Sequence, residues 1–248
     1  MAIAIKTLKL ANVAAFLVTI IVNFAANALP LNGVTTAQVS DKYANLFTPS
    51  GYVFAIWGVI YILLAAFTYY QYKADDELHQ KIGWLCVGSC LFNSVWIFLW
   101  HYQYIALSLI AMAGLFGCLA LIYTRVEIGL VEVDRRRMYM VNTTFSIYTS
   151  WIIIATIANV AALLVAWGWR AYNITAVYST ATIIVMALLL TAINIHLRGD
   201  VAYAAVVVWA LSGIMIEQFS NWLIPYVAGV SILVIIACLA LKKLGKLG

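Results

Sequence analysis

Eight uninterrupted apolar runs divide this chain, at about residues 10–30, 52–72, 83–101, 104–124, 140–166, 172–195, 201–218 and 223–241. A helix rises about 1.5 Å per residue, so about 20 apolar residues cross a hydrocarbon layer about 30 Å thick. The runs are continuous rather than alternating, which excludes the strands of a membrane β-barrel. Only 9% of the 248 residues are charged and 66% are hydrophobic. A water-facing domain carries about 25% charge, so lipid must cover much of this surface. The expected fold class is all-α, a polytopic transmembrane helix bundle of about eight spans. The net charge of +5 does not indicate nucleic acid, because the charges sit in short stretches between apolar runs rather than on a stripe or an arm.

Lysine and arginine give the expected orientation. With the N-terminus inside, the inner segments hold Lys6, Lys9, Lys73, Lys81, Arg125, Arg135, Arg136, Arg137, Arg198, Lys242, Lys243 and Lys246, whereas the outer ones hold only Lys42 and Arg170. An even number of spans then puts both termini on the cytoplasmic side; which membrane is involved is not legible. The N-terminus resembles a signal peptide in its Lys6 and Lys9, its apolar run and Ala26-Asn27-Ala28, but the run is long enough to span, so a retained first helix is expected. The Arg135–Arg137 triplet reads as a topology anchor. The outer segment 31–50 is long enough to fold across the mouth of the bundle.

Several chemistries are disfavoured. No span has a lysine at its middle, as a retinal Schiff base requires. Glu217 and Asp200 lie at span ends, not at the midplane where coupled transporters keep carboxylates. Pro30, Pro49 and Pro225 fall at helix ends, so no broken helix is expected. His79, His101 and His196 are scattered at span boundaries, and Cys86, Cys90, Cys118 and Cys238 read as small apolar packing residues; no metal site is expected. No phosphate loop, nucleophile elbow or zinc motif is present.

The aromatic residues carry more information. Trp84, Trp100, Trp167, Trp169 and Trp222 lie near span ends and fit an interfacial belt. Trp57, Trp96, Trp151 and Trp209 do not. Trp57 and Trp96 lie about 8 Å below the outer ends of their spans at the helical rise. Tyr61 is one turn below Trp57, Asn93 one turn below Trp96, and Trp151 two turns below Asn159. An aromatic box with a few amides suits a flat hydrophobic ligand, the rings giving stacking area and the amides orientation. The competing reading is glue between helices, since Asn bonds across helices in lipid.

At these residues the chain resembles the tryptophan-rich sensory protein / translocator protein family (TspO, the peripheral benzodiazepine receptor). Three segments carry the likeness: Tyr43 to Tyr61 with Pro49, Phe54 and Trp57; Asn93-Ser-Val-Trp96; and Tyr148-Thr-Ser-Trp151-Ile-Ile-Ile-Ala155-Thr-Ile-Ala-Asn159. It covers about residues 8–167. The departures are a single proline at Pro49, Phe54 one residue nearer Trp57, and Ile147 where the family has proline. The resemblance implies a TspO-like five-helix bundle over 1–167, followed by a three-helix transmembrane extension over 168–248. It further implies a pocket formed by Tyr43, Pro49, Phe54, Trp57, Tyr61, Asn93, Trp96, Trp151 and Asn159, which would bind a porphyrin or other tetrapyrrole, or a sterol-like lipid. The expected role is sensory or translocator binding of such a ligand, the porphyrin, other tetrapyrrole or lipid being the one bound group the resemblance implies. The alternatives are a transporter of that ligand and a structural or assembly subunit of a larger membrane complex. Expected partners are membrane lipid, a hydrophobic small molecule, and a second copy or a membrane-complex partner. No acid–base pair for enzymatic turnover is visible in the spans.

Overall fold

The structure is a computed structural model and describes residues 2–29 and 31–245. Pro30 and Lys246, which entered the expectations above, lie outside the described residues. The helices are α1 (Ala2–Ala28), α2 (Thr36–Lys42), α3 (Ile56–Tyr70), α4 (Asp76–Ile82), α5 (Leu85–His101), α6 (Ile105–Arg125), α7 (Arg135–Arg137), α8 (Thr143–Ala166), α9 (Ile174–Arg198), α10 (Val201–Glu217) and α11 (Ile224–Lys243). A 3-10 turn, Gly51–Ala55, leads into α3, and a π-helical turn, Met138–Asn142, leads into α8. No strand occurs among the described residues. Among the described residues, six stretches are long and apolar enough to cross a membrane: Ile5–Ala26, Gly51–Tyr70, Ile105–Arg125, Arg135–Ala166, Ile174–Arg198 and Ile224–Lys243. The other two apolar runs form α5 and α10, helices of 17 residues each, about 26 Å at the helical rise.

Local chemistry sets the helix ends. Asn173 caps α9, its side chain accepting from Ala176 N at 2.8 Å. Gly199 closes that helix in the left-handed region at φ 61°, and Asp200 at once caps α10, so two residues turn the chain between two long helices. The α10–α11 link closes on Asn221, whose Oδ1 accepts from the backbone of Leu223 and Ile224, and Pro225 occupies the first turn of α11, where its missing N–H costs nothing.

The 31–50 segment is more ordered than expected. It contains α2, started by a reciprocal capping box between Thr35 and Gln38, and an Asn45 turn in which Oδ1 accepts from Phe47 N at 2.9 Å.

In the bundle, α5 packs between α1 and α6, α6 packs on α8, and α8 packs on α10, against which α9 and α11 lie. One apolar core continues through them, from Ala26 and Met112 through Tyr148 and Ile152 to Val207, Ile214 and Ile235. At one end, Lys81 donates to Glu127 at 2.9 Å and pins the 126–134 loop to α4; that hydrogen bond holds the Glu127 carboxyl below its usual range. The four cysteines are free, with Cys86 and Cys90 buried.

Polar side chains tie the helices together. Asn12 Nδ2 donates to Gln71 Oε1 at 3.0 Å, and Thr19 Oγ1 donates to Cys90 O at 3.0 Å. Asn93 is wholly buried: its Oδ1 accepts from Asn23 at 2.8 Å, and its Nδ2 donates to Tyr148 Oη at 3.1 Å. One amide therefore joins α1, α5 and α8. Asn93→Ala removes both bonds and should lower stability by about 1 kcal/mol, from about 0.6 kcal/mol for each interhelical bond in lipid; thermal unfolding of purified protein in detergent measures this.

Candidate functional site

The W-x-x-x-Y spacing places Trp57 and Tyr61 one turn apart on α3, and their rings stack at 5.8 Å and 21°. Trp57 also stacks on Trp96 of α5, at 5.7 Å and 26°. Trp96 in turn stacks on Trp100, one turn further along α5, at 5.8 Å and 23°. Tyr61, Trp57, Trp96 and Trp100 thus form a continuous ladder across two helices. Trp151 of α8 meets this ladder edge-on, 6.0 Å from Trp57 and at 89°. Phe54, on the 3-10 turn, meets Trp151 at 6.3 Å and 86°. Such pairs are worth about 0.5–1.5 kcal/mol each beyond the area they bury.

These rings, Tyr61 apart, line a cavity roofed by the 31–50 segment. Tyr43, Pro49, Phe54, Trp57, Trp96, Trp151 and Asn159 all contribute to its wall, so seven of the nine residues singled out from sequence converge on one hollow. The other two do not line it. Tyr61 continues the ladder one turn deeper, beside a lateral groove between α1 and α3. Asn93 makes the interhelical junction described above. Asn159 is a wall residue and a tie at once: its Oδ1 accepts from Trp96 Nε1 at 3.0 Å, and it also bonds the Ser108 hydroxyl of α6. It thereby fixes the plane of the Trp96 indole.

Trp100 corrects the sequence reading. It is not a belt residue but is buried, with Nε1 donating to Thr36 O at 3.2 Å. Its spacing of four from Trp96 was the signal that could have identified it. Thr36, Ser40, Asn45 and Thr48 of the roof and Ala155, Ala158 and Ala162 of α8 also line the cavity. Small residues one turn apart on α8 leave room for the rings opposite. Trp84, Trp167, Trp169 and Trp222 are exposed, as a belt requires.

The free space inside is only about 40 Å³, enough for a few waters. The adjoining groove has about 630 Å³ and is lined by Asn23, Phe24, Gly58, Tyr61 and Ile97 among others. Trp57, Phe54 and Thr36 line both spaces and separate them. The cavity wall carries no charged side chain. Trp151 Nε1 is buried there without a partner, an unmet donor in an otherwise apolar wall. Among the described residues there is no group of three or more His, Cys, Asp or Glu placed to hold a metal.

The roof is held by α10. Ser50 N donates to Gly213 O at 3.2 Å, Trp209 Nε1 donates to Val53 O at 3.1 Å, and Ser50 Oγ donates to Glu217 at 2.8 Å. Tyr52 stands edge-on to Trp209 at 5.1 Å. Gly213 permits this approach, since a Cβ there would overlap Val53 Cγ2 and stand 3.2 Å from Pro49 Cβ. Gly213→Val should therefore push the 49–54 segment off α10 and loosen the ring ladder. The expected outcome is a weaker near-ultraviolet circular dichroism signal from the tryptophans with helix content unchanged; an unaltered signal would show that α10 does not set the roof.

No curated protein and no solved structure matches the chain. A family model described as TSPO-like protein matches residues 9–241, a span that takes in α9 and α10 and most of α11 as well as the helices around the aromatic cavity. The chain belongs to the TSPO-like protein family.

Proposed function

We propose that this membrane protein binds a flat hydrophobic ligand, a tetrapyrrole or a sterol-like lipid, in the aromatic cavity, and that it acts as a sensor or translocator with both termini on the cytoplasmic side. The observation that carries the reading is a single wall that holds Trp57, Trp96 and Trp100 of the ladder together with Trp151, whose indole N–H has no partner. Rings offer a planar ligand stacking area, and Trp151 Nε1 offers a donor to a carbonyl, carboxylate or hydroxyl at its edge. Drug-sized ligands occupy sites of about 300–1,000 Å³, far more than the 40 Å³ now free. Binding therefore requires Trp57 to swing aside and join the cavity to the 630 Å³ groove.

That shared wall also favours a second reading, movement of the ligand between groove and cavity. Uptake into proteoliposomes above the leakage of empty vesicles separates transport from binding alone.

A porphyrin added to the detergent-purified protein should quench tryptophan emission. Trp57→Ala combined with Trp96→Ala should weaken the affinity at least tenfold. Trp151→Phe, which keeps an aromatic ring and removes the donor, should weaken it about twofold to thirteenfold, from about 0.5–1.5 kcal/mol for one neutral hydrogen bond. Unchanged affinity in the double variant would remove the cavity from consideration.

A further inference from the structure

A second cavity lies at the other end of the bundle, under the 126–134 loop and between the π-helical turn and the α9–α10 junction, with a volume of about 540 Å³. We propose that it takes the protonated amine head of an amphiphile.

Asp200 is the first reason. It is buried, and its partners are neutral: Oδ2 accepts from Tyr123 Oη at 2.7 Å and Ser146 Oγ at 2.6 Å, and Oδ1 accepts from Tyr203 N at 3.0 Å. A carboxylate has about four lone-pair sites, so Oδ1 keeps acceptor capacity. The guanidinium of Arg198 also lines the cavity, standing 4.9 Å over the Tyr123 ring and donating to Ile128 O at 2.7 Å rather than to Asp200. Asp200 thus has no direct ion-pair partner among the described residues, and a cation from outside can reach a carboxylate that its neutral donors leave uncompensated.

Asn142 is the second and independent reason. It lines the same cavity and is 5% exposed, and its Oδ1 is buried without a partner. It ends the π-helical turn Met138–Asn142, a distortion that proteins use often at functional sites. Glu132 adds a further exposed carboxylate to the lining.

Two carboxylates against the one guanidinium of Arg198 leave the lining net negative, and with the orphan amide oxygen they ask for donors and positive charge. Val131, Met138, Val201 and Ala202 form apolar wall, which a bare metal ion would not use and a hydrocarbon body would. Hard cations also want about six or more oxygens. The cavity's place at the helix ends puts the amine at headgroup level, so the same ammonium chemistry can come from an aminophospholipid or from a free amphiphilic amine.

Thermal unfolding of the full chain in neutral detergent tests this with octylammonium against octanol at equal concentration. Octylammonium should raise Tm by several degrees and octanol should not. Asp200→Asn keeps the helix cap, since Asn caps as well as Asp, and removes the charge; it should abolish the rise. Asn142→Leu keeps the shape, removes the acceptor and should reduce the rise; it decides the matter if the Asp200 variant does not fold. Nanodiscs with and without phosphatidylethanolamine identify the source. If that lipid raises Tm and octylammonium then adds nothing, the occupant is lipid; if it has no effect, the occupant is a free amine. Equal effects of octanol and octylammonium, or a full rise in both variants, overturn the proposal. Porphyrin quenching by the aromatic cavity is a separate readout and should be the same in Asn142→Leu as in the parent chain.

Discussion

Lipid accepts no hydrogen bonds, so every polar group carried into it must find its partner inside the protein. In this chain single side chains that bridge several helices meet much of that requirement, with Trp151 Nε1 and Asn142 Oδ1 among the atoms left over. Asn93 joins α1, α5 and α8 through Asn23 and Tyr148, and Asn159 joins α8 to α5 and α6 through Trp96 and Ser108. Lipid tails are as apolar as leucine, so apolar burial alone gives helices little preference for particular neighbours; packing and such bonds decide who touches whom. The ring ladder follows from this. Trp96 can stack on Trp57 and Trp100 because Asn159 holds its indole N–H in place.

Interhelical glue and cavity wall, opposed as alternatives at the level of sequence, share residues in the structure. Asn159 both lines the cavity and ties the helices, while Trp151, in the same wall, keeps its donor unused. A wall built from interhelical ties is rigid except where rings can rotate. Trp57, between the cavity and the groove, is the ring whose rotation would join the two.

The last three helices do more than lengthen the bundle. Through Gly213, Trp209 and Glu217, α10 grips the segment that roofs the cavity. Through Asp200, at its other end, it closes a polar junction with α6 and α8. Both ends of one helix thus face cavities, one aromatic and uncharged, the other lined by two carboxylates and one guanidinium.

Apolar runs of membrane length fixed the all-helical bundle from sequence alone, because in lipid a continuous apolar stretch can satisfy its backbone only as a helix. Motif spacing marked most of the cavity, since a residue four along a helix must lie above its partner: hence Trp57 with Tyr61, and Asn93 on the face of Trp96. Tertiary structure decided the rest. Trp100 sits near a helix end, where an interfacial position and a buried one look alike until the roof is seen to cover it. Gly213 carries no side chain to advertise a contact 160 residues away with Val53. The second cavity needs Asn142, Glu132 and Asp200 to meet from three separate segments, and long-range convergence of that kind leaves no periodic trace in a sequence.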